Sequence, residues 1–236
     1  MLKSLFLGVA ALSAFSLPAL AQQTPIPKAP DYVLTEAPDD HAIGDVTAPT
    51  TMIVWASVTC GHCGSWFSDE WPTVKKELVE TGKLRFVMRE LPTAPAALSM
   101  TGFMMAECAP KDSYFDVIEY QMKQQEDIFA DAKAGKGQEA YAKVGALAGL
   151  NNDTEIEACL RDESQFDHIS LSQDRAEAAK VKGVPAFFVN GVAYKGPQDS
   201  KTIVDMIKTM DEMGVSTMPD EMTREDAHTD HSGHKH

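Results

Sequence analysis

Met52-Ile53-Val54-Trp55-Ala56-Ser57-Val58-Thr59-Cys60-Gly61-His62-Cys63 is the stretch from which the fold is read. Thr51 to Ser57 is a near-continuous apolar run of strand length, which suits a central strand buried on both faces. Ser65 to Leu78 then repeats its apolar residues at helical spacing. Cys60 thus falls where a buried strand ends and a helix begins, among unpaired N–H groups at the positive end of the helix dipole. A thiol there gives up its proton more readily, and the thiolate is the nucleophile. His62 adds positive charge and a donor. Cys63, one turn in, is near enough to attack a mixed disulfide formed on Cys60.

Two other readings of this CxxC compete with redox chemistry. Half of a zinc site needs two further ligands of matching spacing, and the other cysteines are single. A purely structural bridge across one helical turn closes little loop and stabilises little. The strand–CxxC–helix context favours a dithiol that opens and closes.

The chain has 236 residues, enough for one domain or one domain with an insertion, and 44% hydrophobic content suits a sizeable core. Residues 1–21 read as a secretory signal: Lys3, an apolar run from Leu5 to Leu17, and Ala19-Leu20-Ala21 as cleavage site. No cysteine stands at the cleavage site to carry a lipid, and no later stretch is long enough to span a membrane. The expectation is a soluble periplasmic protein. In an oxidising compartment, four cysteines are expected to pair. A net charge of −14 argues against nucleic acid or an anionic membrane as partner.

Residues 22–41 are proline-rich and aperiodic, an arm with no core of its own, and His41 to Thr50 reads as a turn and lead-in. The helix after Cys60 extends to about Thr81, with a kink expected at Pro72. Leu84 to Leu91 is a second strand, parallel to the first. From 95 to 181 helical spacing takes over: Ala96 to Ala109, Ser113 to Ile128, Gln138 to Leu147, Asp153 to Arg161 and Gln165 to Lys180. Pro185 to Val189, a hairpin turn at Asn190-Gly191, Val192 to Lys195 and a helix from Asp199 to Met213 follow. Residues 214–236 read as a disordered tail. The plan is α/β: a βαβ half (42–94), a helical insertion, and a ββα half (182–213).

This plan, with Ala42-Ile43-Gly44-Asp45, Ala48-Pro49, Cys60-Gly61-His62-Cys63, Leu84 to Pro92 and Gly183 to Gly191, resembles the thioredoxin fold, and the insertion resembles the DsbA family. The resemblance covers about Ala42 to Met213. It implies Cys60 as attacking thiolate, Cys63 as resolving thiol, and a cis Val184-Pro185 peptide that sets the Val184 backbone beside the Cys60 sulfur, free to pair with an extended substrate. Taken from the residues alone, Pro185 would be a trans proline opening an edge strand. In family members an acid often stands six residues before the first cysteine; here it is Val54, and Glu90 or Glu70 is the candidate substitute.

Cys108 and Cys159 lie on two helices of the insertion, and a structural disulfide between them is expected. Its loop of about 50 residues is worth roughly 4 kcal/mol in the entropy model. His228, His231, His234 and His236 in the tail suit copper, nickel or zinc. His41 and His168 read as ordinary surface or loop histidines. The expected activity is a monomeric exported protein disulfide oxidoreductase with no cofactor beyond its redox-active cysteines. It would act on unfolded exported proteins and be reoxidised by a membrane quinone-linked thiol oxidase. The rivals are a reductase or isomerase, and a copper- or zinc-binding protein using CxxC and the tail.

Overall fold

The computed structural model of the chain describes residues 32–224. Strand β2 (Thr50–Ala56) pairs in parallel with β3 (Leu84–Glu90) and antiparallel with β4 (Ala186–Val189). The edges are β1 (His41–Ile43), antiparallel to β3, and β5 (Val192–Ala193), antiparallel to β4, giving the order β1-β3-β2-β4-β5. Met52, Val54 and Ala56 point into one core layer, and Ile53 and Trp55 into the other, so β2 is buried on both faces. This is the expected βαβ, helical insertion, ββα architecture.

Helix α1 (Gly61–Asp69) begins directly after Cys60 and is followed by α2 (Trp71–Val74), which continues as a π-helical turn over Lys75–Val79. The interruption falls at Glu70 because Pro72 has no N–H to give and its ring collides with the preceding turn. The insertion holds α3 (Ala96–Glu107), α4 (Tyr114–Lys123), α5 (Gln125–Lys133), α6 (Gly137–Leu147), α7 (Asp153–Leu160) and α8 (Glu163–Ala178). The single helix expected over Ser113 to Ile128 is therefore two, broken at Gln124, which leaves the helical region at φ −102°, ψ 16°. Asn152 and Asp162 cap α7 and α8 through their side chains. Helix α9 (Ser200–Met213) is capped by Asp199 and ends at Gly214 in the left-handed conformation. Among the described residues, no helix is long and apolar enough to cross a membrane.

Three expectations need correction. His41 to Ile43 is a strand, because β3 would otherwise present an unpaired edge. The described part of the arm, 32–40, is fixed by Arg89. That side chain is 1% exposed and donates to the backbone oxygens of Tyr32, Val33 and Thr35 and to both carboxylate oxygens of Asp40. A buried guanidinium needs such a set of acceptors, and only a folded-back arm supplies it. The tail returns as well: Met218 is buried, Met222 packs on the core, and Lys195 N–H donates to Met222 O at 2.7 Å. The signal at 1–21, arm residues 22–31 and the tail histidines lie outside the described residues.

Candidate active site

Cys60 occupies the N-cap of α1 with extended backbone (φ −88°, ψ 118°), and its carbonyl accepts the first helical bond from Gly64 N–H at 2.9 Å. The Cys63 side chain donates to the Cys60 sulfur, and the backbone N–H groups of Cys63 and His62, with the His62 charge, act in the same direction. Against a desolvation that favours the thiol, they bring the Cys60 pKa from its ordinary 9.0 to about 6. Cys63 is 0% exposed; burial, and next its bond to Cys60, push its thiol far up. The two sulfurs stand as a dithiol, one half-buried and ionised near neutrality, the other enclosed and protonated. His62 is exposed beside them.

The Val184-Pro185 peptide is cis, as is Ala94-Pro95. Cys60 Sγ lies 3.3 Å from Val184 O, so the loop before β4 and the N-terminus of α1 form one surface. A groove of about 540 Å³ lies on the other side of this loop, lined by Lys180 to Gly183, Pro185 to Phe188, Tyr194 and Lys195 and not by Cys60 or Val184. Cys108 and Cys159 are joined by a disulfide that ties α3 to α7.

The loop carrying Cys60 is held from the insertion by a residue that sequence reading missed. Gln125 Nε2 donates to Val58 O at 2.8 Å and to Cys60 O at 3.2 Å. Its Oε1 lies 2.9 Å from where a Cβ on Gly64 would stand, so a larger residue there would push the Gln125 amide aside. The break at Gln124 sets this glutamine at the start of α5; with one helix expected through 113–128, the sequence carried no signal for it. Beneath the loop, Ser57 Oγ contacts the hydroxyls of Thr59, Ser99 and Thr93 at 2.9–3.1 Å.

Both candidate substitutes for the acid missing at Val54 have partners of their own. Glu70 Oε2 accepts the N–H of Ser200 at 2.6 Å and so caps α9. Glu90, 1% exposed, accepts from the Tyr114 hydroxyl and interacts with Glu107. Burial, reinforced by the negative charge of Glu107, raises the Glu90 pKa to about 7.

His41 and His168 are not the ordinary surface residues expected. His41 Nε2 and His168 Nδ1 both contact Glu107 Oε1, at 2.9 and 2.8 Å, and the His41 ring stacks on Tyr114 with centroids 3.5 Å apart. Their hydrogen bonds overcome the burial of Glu107 and hold its carboxyl well below the usual range. The two histidines are 127 residues apart in sequence, and no local pattern links them. Among the described residues, His41, Glu90, Glu107 and His168 are the group with metal-ligand spacing; Cys60 and Cys63 are not in it.

A CxxC dithiol at a strand–helix junction, facing a cis-proline loop, defines a thioredoxin-fold dithiol protein. The family model described as Thioredoxin matches residues 36–209, and the chain belongs to that family. It has the fold of DsbA proteins: the crystal structure of α-DsbA1 from Wolbachia pipientis superposes with a TM-score of 0.66 at 22% identity, over 75% of this chain and 94% of that one. Among curated relatives, a Rickettsia typhi protein named as a protein-disulfide oxidoreductase is 27% identical over 65% of this chain and 56% of its own length. A Rickettsia conorii protein of the same name is 26% identical over 80% of this chain and 65% of its own. The chain thus spans less than two thirds of the length of these relatives.

Proposed function

We propose that the chain is a protein disulfide oxidoreductase of the DsbA type that forms disulfides in exported proteins in the periplasm. The observation that carries this reading is the asymmetry of the dithiol: half-buried Cys60 sits at the N-cap of α1, where the Cys63 thiol and helix N–H groups lower its pKa to about 6, while Cys63 is fully buried and its thiol is pushed up. A stable thiolate stabilises the reduced protein, which makes the oxidised form a good donor of its bridge. The names of the Rickettsia relatives support the same chemistry.

In the proposed cycle a substrate thiolate attacks Cys60 Sγ of the Cys60–Cys63 bridge. The bond between the two sulfurs breaks, Cys63 leaves with the electron pair and takes a proton, and a mixed disulfide forms on Cys60. A second substrate thiolate attacks the substrate sulfur of that bond, closing the substrate disulfide and releasing Cys60 as thiolate. Two electrons remain on the protein, and a membrane quinone-linked thiol oxidase would remove them. Val184 backbone beside Cys60 offers pairing to an extended substrate strand. The test is the equilibrium potential of the couple in glutathione buffers, with Cys63→Ser as trap. An oxidising potential and mixed disulfides on Cys63→Ser but not Cys60→Ser support the reading. A potential as low as thioredoxin's, about −270 mV, overturns it in favour of a reductase.

A further inference from the structure

We propose that His41, His168, Glu107 and Glu90 form a zinc site that clamps the helical insertion to the edge of the sheet. The four ligand atoms lie within 4.8 Å of one another and come from β1, α8, α3 and β3, segments far apart in sequence that the fold packs together. Two of the donors are carboxylates on nearly dry side chains, Glu90 1% and Glu107 5% exposed, set against each other. Both oxygens stand beside the imidazoles of His41 and His168, so two nitrogen and two oxygen donors converge where little water competes for a metal.

The geometry around the donors is that of a supported metal site. His168 Nε2 lies 2.9 Å from the backbone oxygen of Asp39, so its N–H points there and Nδ1 faces the cluster. Asp39 is itself held by Arg175, at 2.8 and 2.9 Å. Stacking on Tyr114 fixes the His41 ring, and the Tyr114 hydroxyl fixes Glu90. Tetrahedral ligands bound at about 2.0 Å stand about 3.3 Å apart, so the 2.8–2.9 Å contacts to Glu107 Oε1 open slightly and the wider pairs, up to 4.8 Å, close. Two imidazoles with carboxylates select zinc over calcium or magnesium, which take oxygen sets. The buried guanidiniums of Arg175 and Arg89 are engaged by Asp39 and Asp40.

The test uses the full chain with His228, His231, His234 and His236 changed to Gln and the Cys60–Cys63 bridge oxidised, so that neither tail nor dithiol binds metal. Zinc chloride, titrated against a chromogenic chelator, should fill one site per chain. At free zinc about a hundred times Kd it should raise Tm by roughly 5–10 °C. Cobalt(II) should give the visible bands of a tetrahedral ion. His168→Gln should lose the equivalent, the bands and the Tm rise together. Should His168→Gln not fold, the cobalt spectrum of the parent chain decides. No saturable equivalent, six-coordinate cobalt bands, a Tm that responds to calcium and not to zinc, or a folded His168→Gln chain that still binds would each overturn the proposal.

Discussion

The dithiol form should gain stability over the disulfide form as pH rises from about 5 to about 8. The source is Cys60, whose pKa is lowered from 9.0 to about 6 by the Cys63 bond and the helix N–H groups. A depressed pKa contributes stability that is complete above the unfolded value and is lost as pH falls through the folded one. The disulfide form has no thiol there and contributes no such slope. Integrated between about pH 5 and 8, the shift corresponds to about 2.6 kcal/mol in favour of the dithiol form. Cys60 is half-buried, and solvent screening roughly halves that to about 1.3 kcal/mol. In a chain of this size it amounts to about 3–5 °C in Tm. Cys63 acts the other way, since its thiol is raised by burial and its contribution fades only as pH approaches 9, so the window stops short of that. Scanning calorimetry of the reduced and the oxidised protein across the window measures the difference directly, and the Cys60→Ser chain, which has no bridge to form, should lose the pH slope of the dithiol form. A Tm difference that stays constant, or that falls with rising pH, refutes the electrostatic account of the site.

Gln125→Ala should cost about 1–3 kcal/mol in chemical denaturation, because Val58 O loses its side-chain donor and Cys60 O keeps only the Gly64 N–H, and should slow thiol exchange several-fold. Arg89→Ala should cost about 3–5 kcal/mol, since Asp40 is left buried with the Ala37 N–H and a longer contact to Arg175 as its partners. Limited proteolysis should then open residues 32–40, whereas an unchanged digestion pattern would show that the arm is held elsewhere. Cys108→Ala with Cys159→Ala should lower stability by up to about 4 kcal/mol, the closure entropy of a 51-residue separation, and leave exchange at Cys60 within a few-fold of the parent rate.

What the sequence determined is what local chemistry controls. An apolar run of seven residues has to be a buried strand, a cysteine directly after it has to meet a helix N-terminus, and Pro72 has to interrupt the helix that follows. Cys60, Cys63 and the order βαβ, helices, ββα were therefore legible, because each depends on residues within a turn or a strand of one another. The DsbA likeness added the cis peptide at Pro185, which the residues alone would have given as trans. Tertiary structure decided the contacts between distant segments. His41 and His168 look like surface residues until β1 pairs with β3 and α8 packs across Trp55, which brings both rings to Glu107. The arm looks unstructured until the buried charge of Arg89 demands acceptors that only its backbone supplies. Gln125 reads as one more polar helix residue until the loop before Cys60 turns two carbonyls toward it. In each case a buried polar group set the outcome, and its partner lies tens of residues away, where no periodicity can point.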